Sequence, residues 1–269
     1  MVNLNLKLKL TMVSLVLPIV STSGVYSQSP TEYYRLKKYH KLGFVAGLTR
    51  YNQAKLEPQY GDYTFENKPT LSFNAGFEYD FYPERKWSFI TGLIVALEPA
   101  YNIAYQFKKE DIYPQFKDGG KDKEKMYAMT SFSAPLLLRL NIQVDKKIFI
   151  NFRTGLRVMY FPPGAASYSL TFHNADNTES REVFGLKAES PDNLFQGSFI
   201  IGAGSSYAMK KILLKMNIIY VINFQNIMDG EYLFDNLFVS PRSYGYYKLS
   251  GNYIGLLFSV SLAKKKEIY

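Results

Sequence analysis

The chain has 269 residues, no cysteine, 23 tyrosines, 20 phenylalanines and a formal net charge of +9. The absence of cysteine excludes disulfide frameworks, CxxC redox sites and thiolate metal sites. The lysines and arginines are spread over turns, loops and the stretch 264–266 rather than along one helix face, which favours a solvated surface, and we expect no nucleic-acid partner.

The N-terminal segment has the pattern of a secretory signal peptide. Two lysines precede an apolar stretch over 10–20, and small residues follow, with Val25 and Ser27 at the positions that signal peptidase reads. The apolar stretch is shorter than the roughly 20 residues of a spanning helix, which favours cleavage over a retained membrane anchor. We therefore expect a cleaved signal peptide over 1–27 and a periplasmic lead over 28–40.

Most of the remaining chain alternates between apolar and polar positions. From 71 to 81, for example, the odd positions are apolar and the even positions polar, a period typical of strands with one apolar face. No stretch beyond the N-terminus holds the roughly 18 consecutive apolar residues of a membrane helix. The predicted strands, about eight in number, lie near 42–51, 71–81, 87–98, 134–142, 148–160, 195–207, 212–224 and 254–262.

The connections between these strands alternate strictly between short and long. The short turns lie near 82–86, 144–147 and 209–211, and the long, polar connections at 52–69, 106–126, 162–192 and 226–250. Short periplasmic turns and long extracellular loops are typical of up-and-down outer-membrane barrels, whereas a sandwich with Greek-key crossovers gives no reason for the alternation.

The sequence therefore predicts an all-β protein, an eight-stranded antiparallel up-and-down transmembrane β-barrel over 41–262. We expect it in the outer membrane of a Gram-negative bacterium, in contact with outer-membrane lipid, with a Lys-rich periplasmic tail over 263–269. Aromatic residues near the strand ends suggest interfacial belts. Those beside the short turns are Tyr79, Phe81, Trp87 and Tyr207, and those beside the long loops are Tyr51, Tyr101, Tyr105, Tyr160 and Phe224.

The inward parity of these strands collects charged residues, which cannot face lipid. They are Glu78, Asp80, Glu98, Arg139, Arg153, Arg157 and Lys215. Buried charges are costly unless paired, and an opposite charge within about 4 to 6 Å stabilises both ionised forms. We expect a structural, salt-bridged plug that includes Arg139 and Arg153; the alternative is a set of water-exposed charges near the two openings.

The fourth predicted strand carries a recognisable motif. Its residues are Ala134, Pro135, Leu136, Leu137, Leu138 and Arg139. This run resembles the (I/V)-P-L-L-(L/F)-(K/R) strand of PorT-type outer-membrane β-barrel proteins of the Bacteroidota. The signal peptide, the alternating loops and the final strand extend the resemblance over most of 40–262. Because Pro135 cannot donate a ladder hydrogen bond, we also expect a bulge or the start of regular pairing there.

The resemblance implies a fold and a location more than an activity. Some relatives are tied to protein secretion and gliding machinery, so it implies a non-enzymatic interaction or assembly component with envelope or secretion proteins as partners. An interior of eight strands has room only for its own side chains, which argues against the alternative of a narrow passive solute channel. The oligomeric state stays open.

Residues suited to catalysis or metal binding are few. The two histidines, His40 and His173, are too few for a His-based metal cluster. His173 lies near Asp176, Ser180 and Glu182 in sequence, which keeps open an outer-membrane enzyme acting on lipid or peptide at the extracellular rim. A solvated loop histidine is the commoner case, so we expect no catalytic residue, metal or cofactor.

Overall fold

The alternating segments form strands in the computed structural model, which describes residues 34–68, 70–114, 121–174 and 176–264, with the backbone alone at 34–35, 99–102 and 121–129. The elements are the 3-10 helix η1 (Tyr34–Lys38), β1 (Leu42–Tyr51), β2 (Lys55–Tyr60), β3 (Glu66–Asn67), β4 (Leu71–Asp80), β5 (Trp87–Gln106), the 3-10 helix η2 (Lys109–Asp111), β6 (Lys121–Gln143), β7 (Ile148–Tyr160), β8 (Ala165–His173), β9 (Ser180–Glu189), β10 (Phe195–Ala208), β11 (Ile212–Asn223), β12 (Met228–Phe234), β13 (Ser243–Leu249) and β14 (Tyr253–Leu262). Among these residues there is no helix with the length and apolarity to cross a membrane.

Eight of the strands close into a barrel. Their order around the wall is β1, β4, β5, β6, β7, β10, β11 and β14, and β14 pairs with β1 to complete the ring. Every pair is antiparallel, and each barrel strand lies beside the barrel strands that precede and follow it in the chain. The prediction of an eight-stranded antiparallel up-and-down barrel is confirmed. Its two ends are called here the short-turn end and the long-loop end.

The wall has its apolar side outside. Leu48, Leu71 and Ile218 are exposed on the outer surface, whereas polar side chains such as Asn74 and Asn151 are buried inside. This arrangement is the reverse of a soluble protein, and it suits a surface whose solvent is hydrocarbon. Because side chains alternate along a strand, the period-two pattern predicted which residues face lipid.

The long connections lie where the sequence predicts them, but they are not irregular loops. The segments 52–69, 162–192 and 226–250 contain strands, five of which form a second antiparallel sheet in the order β2, β13, β12, β9, β8. The segment 106–126 is likewise entered by β6, which pairs with β5 far beyond the barrel. These segments fold because they contain apolar residues at alternate positions, which form a core of their own. Their average composition is polar, so this pattern is not apparent from composition alone.

We call the second sheet, β3 and the projecting ends of β5 and β6 the cap. Its inner side packs into an aromatic core, in which the rings of Phe184 and Phe234 stack with centroids 4.5 Å apart. Met159 and Phe161 belong to this core and continue the inward parity of β7 beyond Arg157. The core of the cap therefore lies directly over the barrel opening at the long-loop end.

Two smaller expectations also need correction. Tyr51 and Tyr105 are buried, the first in the lumen and the second in the cap core, so they are not belt residues. Pro135 lies inside β6 with no shift of register against β7, whereas on the β5 side the pairs skip Ala134 and Pro135 and regular pairing begins at Leu136, as its missing N–H predicts. The carbonyl of Pro135 still serves the neighbouring strand, since Thr91 Oγ1 donates a hydrogen bond to it over 3.0 Å.

The structure describes only part of the predicted N-terminal and C-terminal segments. The predicted signal peptide over 1–27, the first residues of the lead and residues 265–269 of the tail lie outside the described residues. The described part of the lead packs against the short-turn end, where Tyr39 forms a bridge with Ala263. Leu36 and Tyr39 are buried there and pack against Phe149 and Leu213.

Candidate functional site

The lumen contains a charge cluster centred on Asp80. Arg139 Nη1 forms an ion pair with Asp80 Oδ2, and Lys215 Nζ donates to the same oxygen over 3.3 Å. Ser88 Oγ donates to the other carboxylate oxygen. All three charged residues are only 2–4% exposed. Asp80 closes β4, and β11 stands three strands away around the ring, so the pair with Lys215 links opposite walls.

A second ion pair crosses the lumen one layer above. Arg153 Nη1 lies 2.9 Å from Glu78 Oε1, and both side chains are buried. Arg153 is on β7 and lies directly opposite Arg139 of β6, while Glu78 precedes Asp80 by two residues on β4. Two arginines on adjacent strands are thus each held by an acid from the same distant strand.

Arg157 and Glu98 occupy the upper lumen without pairing to each other. Arg157 donates from Nε to Ser198 Oγ over 2.8 Å, from Nη1 to the Tyr253 hydroxyl over 2.8 Å, and from Nη2 to Asn223 Oδ1 over 3.1 Å. Glu98 Oε1 accepts a hydrogen bond from Ser131 Oγ over 2.7 Å. The structure therefore brings Glu78, Asp80, Arg139, Arg153 and Lys215 into ion pairs and leaves the other two predicted residues with neutral partners.

Apolar layers separate and enclose these charges. The lead closes the short-turn end, the cap core closes the long-loop end, and a third cluster that includes Val45, Leu137 and Leu257 fills the space between. The cavity beside Glu78 and Arg153 measures about 20 Å³, roughly the room that one water molecule needs.

A buried carboxylate ties together the segments of the cap. Asp111 accepts hydrogen bonds from the Tyr63 hydroxyl, from the Ser240 backbone N–H over 2.6 Å and from Ser240 Oγ over 2.9 Å. Burial acts to raise the pKa of Asp111, but these hydrogen bonds outweigh it and hold the pKa below its usual value. Burial and the bond to Asp111 raise the pKa of Tyr63 to about 12. The sequence placed Asp111 in a long loop and gave no sign of this role.

The outer face of the cap sheet exposes tyrosines among paired charges. Tyr60 and Tyr244 stack with ring centroids 6.2 Å apart, and Tyr246 lies two residues along β13. Lys248 Nζ donates to Glu57 Oε2 over 2.7 Å. Hydrogen bonds from Lys248 and Lys55 lower the pKa of Glu57 to about 2. The alternating burial of β13 carries this signal, but the sequence predicts a long loop over this segment.

The structure does not assemble the residues of the enzyme alternative. His173 ends β8, is exposed, and lies opposite Ser180 in the β8–β9 ladder. Over the described ranges its side chain makes no hydrogen bond or ion pair with Asp176 or Glu182. Within those same ranges no three metal-binding side chains lie close enough together to hold an ion.

Several solved outer membrane proteins are similar to this chain. In solved structures, the fold is similar to the outer membrane protein OprG of Pseudomonas aeruginosa, at 10% identity and a TM-score of 0.41, over 83% of this chain and 96% of that one. It is also similar to Ail, the attachment invasion locus protein of Yersinia pestis, at 11% identity and a TM-score of 0.27, over 83% and 98%. The outer membrane protease OmpT of Escherichia coli matches at 8% identity and a TM-score of 0.30, over 83% and 94%.

Among curated proteins, the sequence has no significant match. A family model described as outer membrane protein beta-barrel domain matches residues 26–229, which is most of the chain. These residues include seven of the eight barrel strands, and the structure adds the eighth, β14, which closes the wall. The chain belongs to this family of outer membrane β-barrel proteins.

Proposed function

We propose that this protein is a sealed, non-enzymatic barrel whose cap binds other envelope components, as an interaction or assembly protein. The observation that carries the proposal is the cap itself. Its strands bury an aromatic core of their own, so the outer sheet presents a fixed surface rather than mobile loops. A preformed surface loses less conformational entropy on binding.

The filled lumen supports a role other than transport. Ion pairs, apolar clusters and the cap core succeed one another along the barrel axis. Permeation would require these buried pairs to separate, which costs about 3 to 5 kcal/mol for each pair broken. The charges therefore serve as a structural plug.

The outer face of the cap sheet is the proposed contact surface. Tyr60, Tyr244 and Tyr246 are 56%, 45% and 43% exposed, and tyrosine is enriched among residues that dominate binding energy. Glu57 and Lys248 provide an ordered polar pair beside them. An aromatic centre with a polar rim is the usual composition of a protein interface.

The resemblance to PorT-type proteins also suggests which kind of partner the cap binds and how the protein is oriented in the outer membrane. The partner would be another protein of the envelope, such as a component of a secretion or gliding machine. The chain would be exported through a signal peptide cleaved after residue 27, with the cap outside the cell and the short turns in the periplasm. The exposed His173 has no acid partner within the described residues, which supports a non-enzymatic role.

Affinity capture from outer membranes tests the proposal. The tagged protein should co-purify with a defined envelope protein, and Tyr244→Ser with Tyr246→Ser should abolish this while the barrel still folds. Tyr82→Ser, which removes an exposed tyrosine at the short-turn end, is the matched control. Equal capture by the cap variant and the control would contradict the cap as the contact surface.

Planar bilayers test the sealed lumen separately. The unmodified protein should show little steady conductance, and neutralising Arg153 or Glu98 should introduce a leak, because both are buried in the lumen. Large, stable conductance of the unmodified protein would contradict the plug.

A further inference from the structure

The folded chain separates its charges between the two ends of the barrel. The described cations at the short-turn end are Lys37, Lys38, Lys41, Arg85, Lys86, Lys146, Lys147, Lys210, Lys211 and Lys264, and the acids there are Glu84 and Asp145. Ten cations and two acids give this end a formal charge of +8. The sequence spread these lysines over separate turns, and the topology gathers those turns at one rim.

The long-loop end has the opposite balance. Its described cations are Arg50, Lys55, Lys68, Lys108, Lys109, Arg181, Lys187, Arg242 and Lys248, and its acids are Glu57, Asp62, Glu66, Glu110, Asp111, Asp176, Glu179, Glu182, Glu189, Asp192, Asp229, Glu231 and Asp235. Nine cations and thirteen acids give −4. Among the side chains that the structure describes, the excess of positive charge therefore lies at the short-turn rim and is not a general property of the surface.

Four of the basic residues converge on one cleft. Lys38, Lys146, Lys147 and Lys210 line a space of about 510 Å³, together with Tyr207 and Met209. The described part of the lead holds one side of it, since Lys38 Nζ donates to the Met209 carbonyl over 3.2 Å. An ammonium group has three donors, so this bond leaves Lys38 able to bind an anion as well.

The cleft adjoins the lipid-facing wall. Tyr207 lies opposite both Ile148 and Leu214 in the ladders to the neighbouring strands, and these residues form an apolar row near this end. Lys147 directly precedes Ile148, and Lys210 follows Tyr207 by three residues. At about 3.3 Å per residue, Lys147 lies within the roughly 5 to 8 Å that headgroups occupy on each side of a bilayer. Lys210 lies in the tight turn after β10, in which the Met209 N–H donates to the Ile212 carbonyl over 2.9 Å.

We propose that this cleft binds the phosphate of an anionic phospholipid in the adjacent leaflet. The lysines would hold the headgroup while the acyl chains lie along the apolar row that includes Tyr207 and Ile148. The excess of positive charge around the cleft suits a phosphate. Among the described residues, Asp145 is the one acid that neighbours these lysines in sequence. The continuous apolar row favours a lipid over a free anion, because only a lipid has acyl chains that can pack against it.

The test is a titration of the full mature protein in neutral detergent micelles with dihexanoyl phosphatidylglycerol. Dihexanoyl phosphatidylcholine and inorganic phosphate serve as comparison probes. We expect phosphatidylglycerol to bind more tightly than either, and Lys147→Gln with Lys210→Gln to weaken it by about fivefold per lysine. The matched control is Lys187→Gln with Lys248→Gln in the cap, which should leave binding unchanged.

Each result bears on the proposal. Preference for phosphatidylglycerol that is lost in the first double variant and weakened by added salt supports the lipid site. Equal binding of the two lipids, or an equal loss in the cap control, overturns it. Binding of inorganic phosphate as tight as that of the lipid overturns the lipid as the source of the anion. Heat-dependent gel mobility checks that both variants fold, since all four lysines are outside the lumen.

Discussion

Removing the charge of Glu78 tests whether the lumen is a closed, dry interior. In the native protein Glu78 Oε1 lies 2.9 Å from Arg153 Nη1, with both side chains almost fully buried. At an effective dielectric constant of about 20, opposite unit charges about 4 Å apart attract by about 4 kcal/mol. Glu78→Gln removes this attraction and leaves Arg153 buried beside Arg139, its partner in the β6–β7 ladder.

We expect Glu78→Gln to lower the free energy of unfolding by about 3 to 5 kcal/mol, since breaking a buried pair leaves an uncompensated charge. The glutamine amide can still accept one hydrogen bond from Arg153, which favours the lower end of this range. Urea unfolding in phospholipid vesicles provides the measurement. Trp87, the single tryptophan, faces lipid and is 52% exposed from the protein, so its fluorescence reports unfolding of the wall directly.

Glu57→Gln is the matched control. Glu57 is also an ion-paired glutamate, with Lys248 and Lys55, but it lies on the outer face of the cap in water. The same chemical change there should not measurably shift the unfolding midpoint, because solvent screens exposed pairs. A loss below about 1 kcal/mol for Glu78→Gln, the range of exposed pairs, would refute the buried plug and indicate a water-filled lumen.

Three other outcomes follow from the fold. Leu138→Arg and Ile218→Arg, on the outward parity of the wall, should each destabilise the barrel by about 2 to 4 kcal/mol in vesicle unfolding if they lie near the midplane of the membrane. The lowered pKa of Asp111 stabilises the cap above about pH 4, where the unfolded carboxyl also ionises, and this stabilisation should be lost as pH falls further. Hydrogen exchange of 228–250 should show the loss, and Asp111→Asn should remove the pH dependence. A cysteine at exposed Val239 should be labelled on intact cells, whereas one at Lys147 should react only after the outer membrane is permeabilised.

The barrel could be predicted from the sequence because its physical rule is local. A residue on the wall faces either lipid or lumen, and the choice repeats every two residues. The segment 212–224 shows this, because its even, apolar positions form the outer face of β11 and its odd positions, which include Lys215 and Asn217, form the inner face. The same parity selected the lumen charges, but the pairing of Lys215 with Asp80 depends on how eight strands close, which no local pattern contains.

The cap could not be predicted in this way. Its strands are short, its sheet joins segments as distant as β2 and β13, and its apolar residues stand among many polar ones. Met228 to Phe234 alternates clearly once its partners are known. Without them, a run of seven residues between charged stretches is indistinguishable from a loop. The basic rim was missed for a related reason, since three separate turns become one surface only in the closed ring.

A break in regular pairing connects the two parts of the molecule. The β5–β6 ladder shifts register between Glu98 and Pro99 and again between Pro99 and Tyr101. Before the shift, the even residues of β5 face the lumen and end with Glu98; after it, the odd residues Ile103 and Tyr105 are buried in the cap core. Each of the two strands carries one extra residue at this point, so the register is the same before and after it, and the extra residue on β5 reverses which of its side chains face inward. The same strand can therefore supply polar groups to a barrel interior and apolar groups to the core above it, and this reversal allows the hairpin to extend out of the membrane as part of a folded cap.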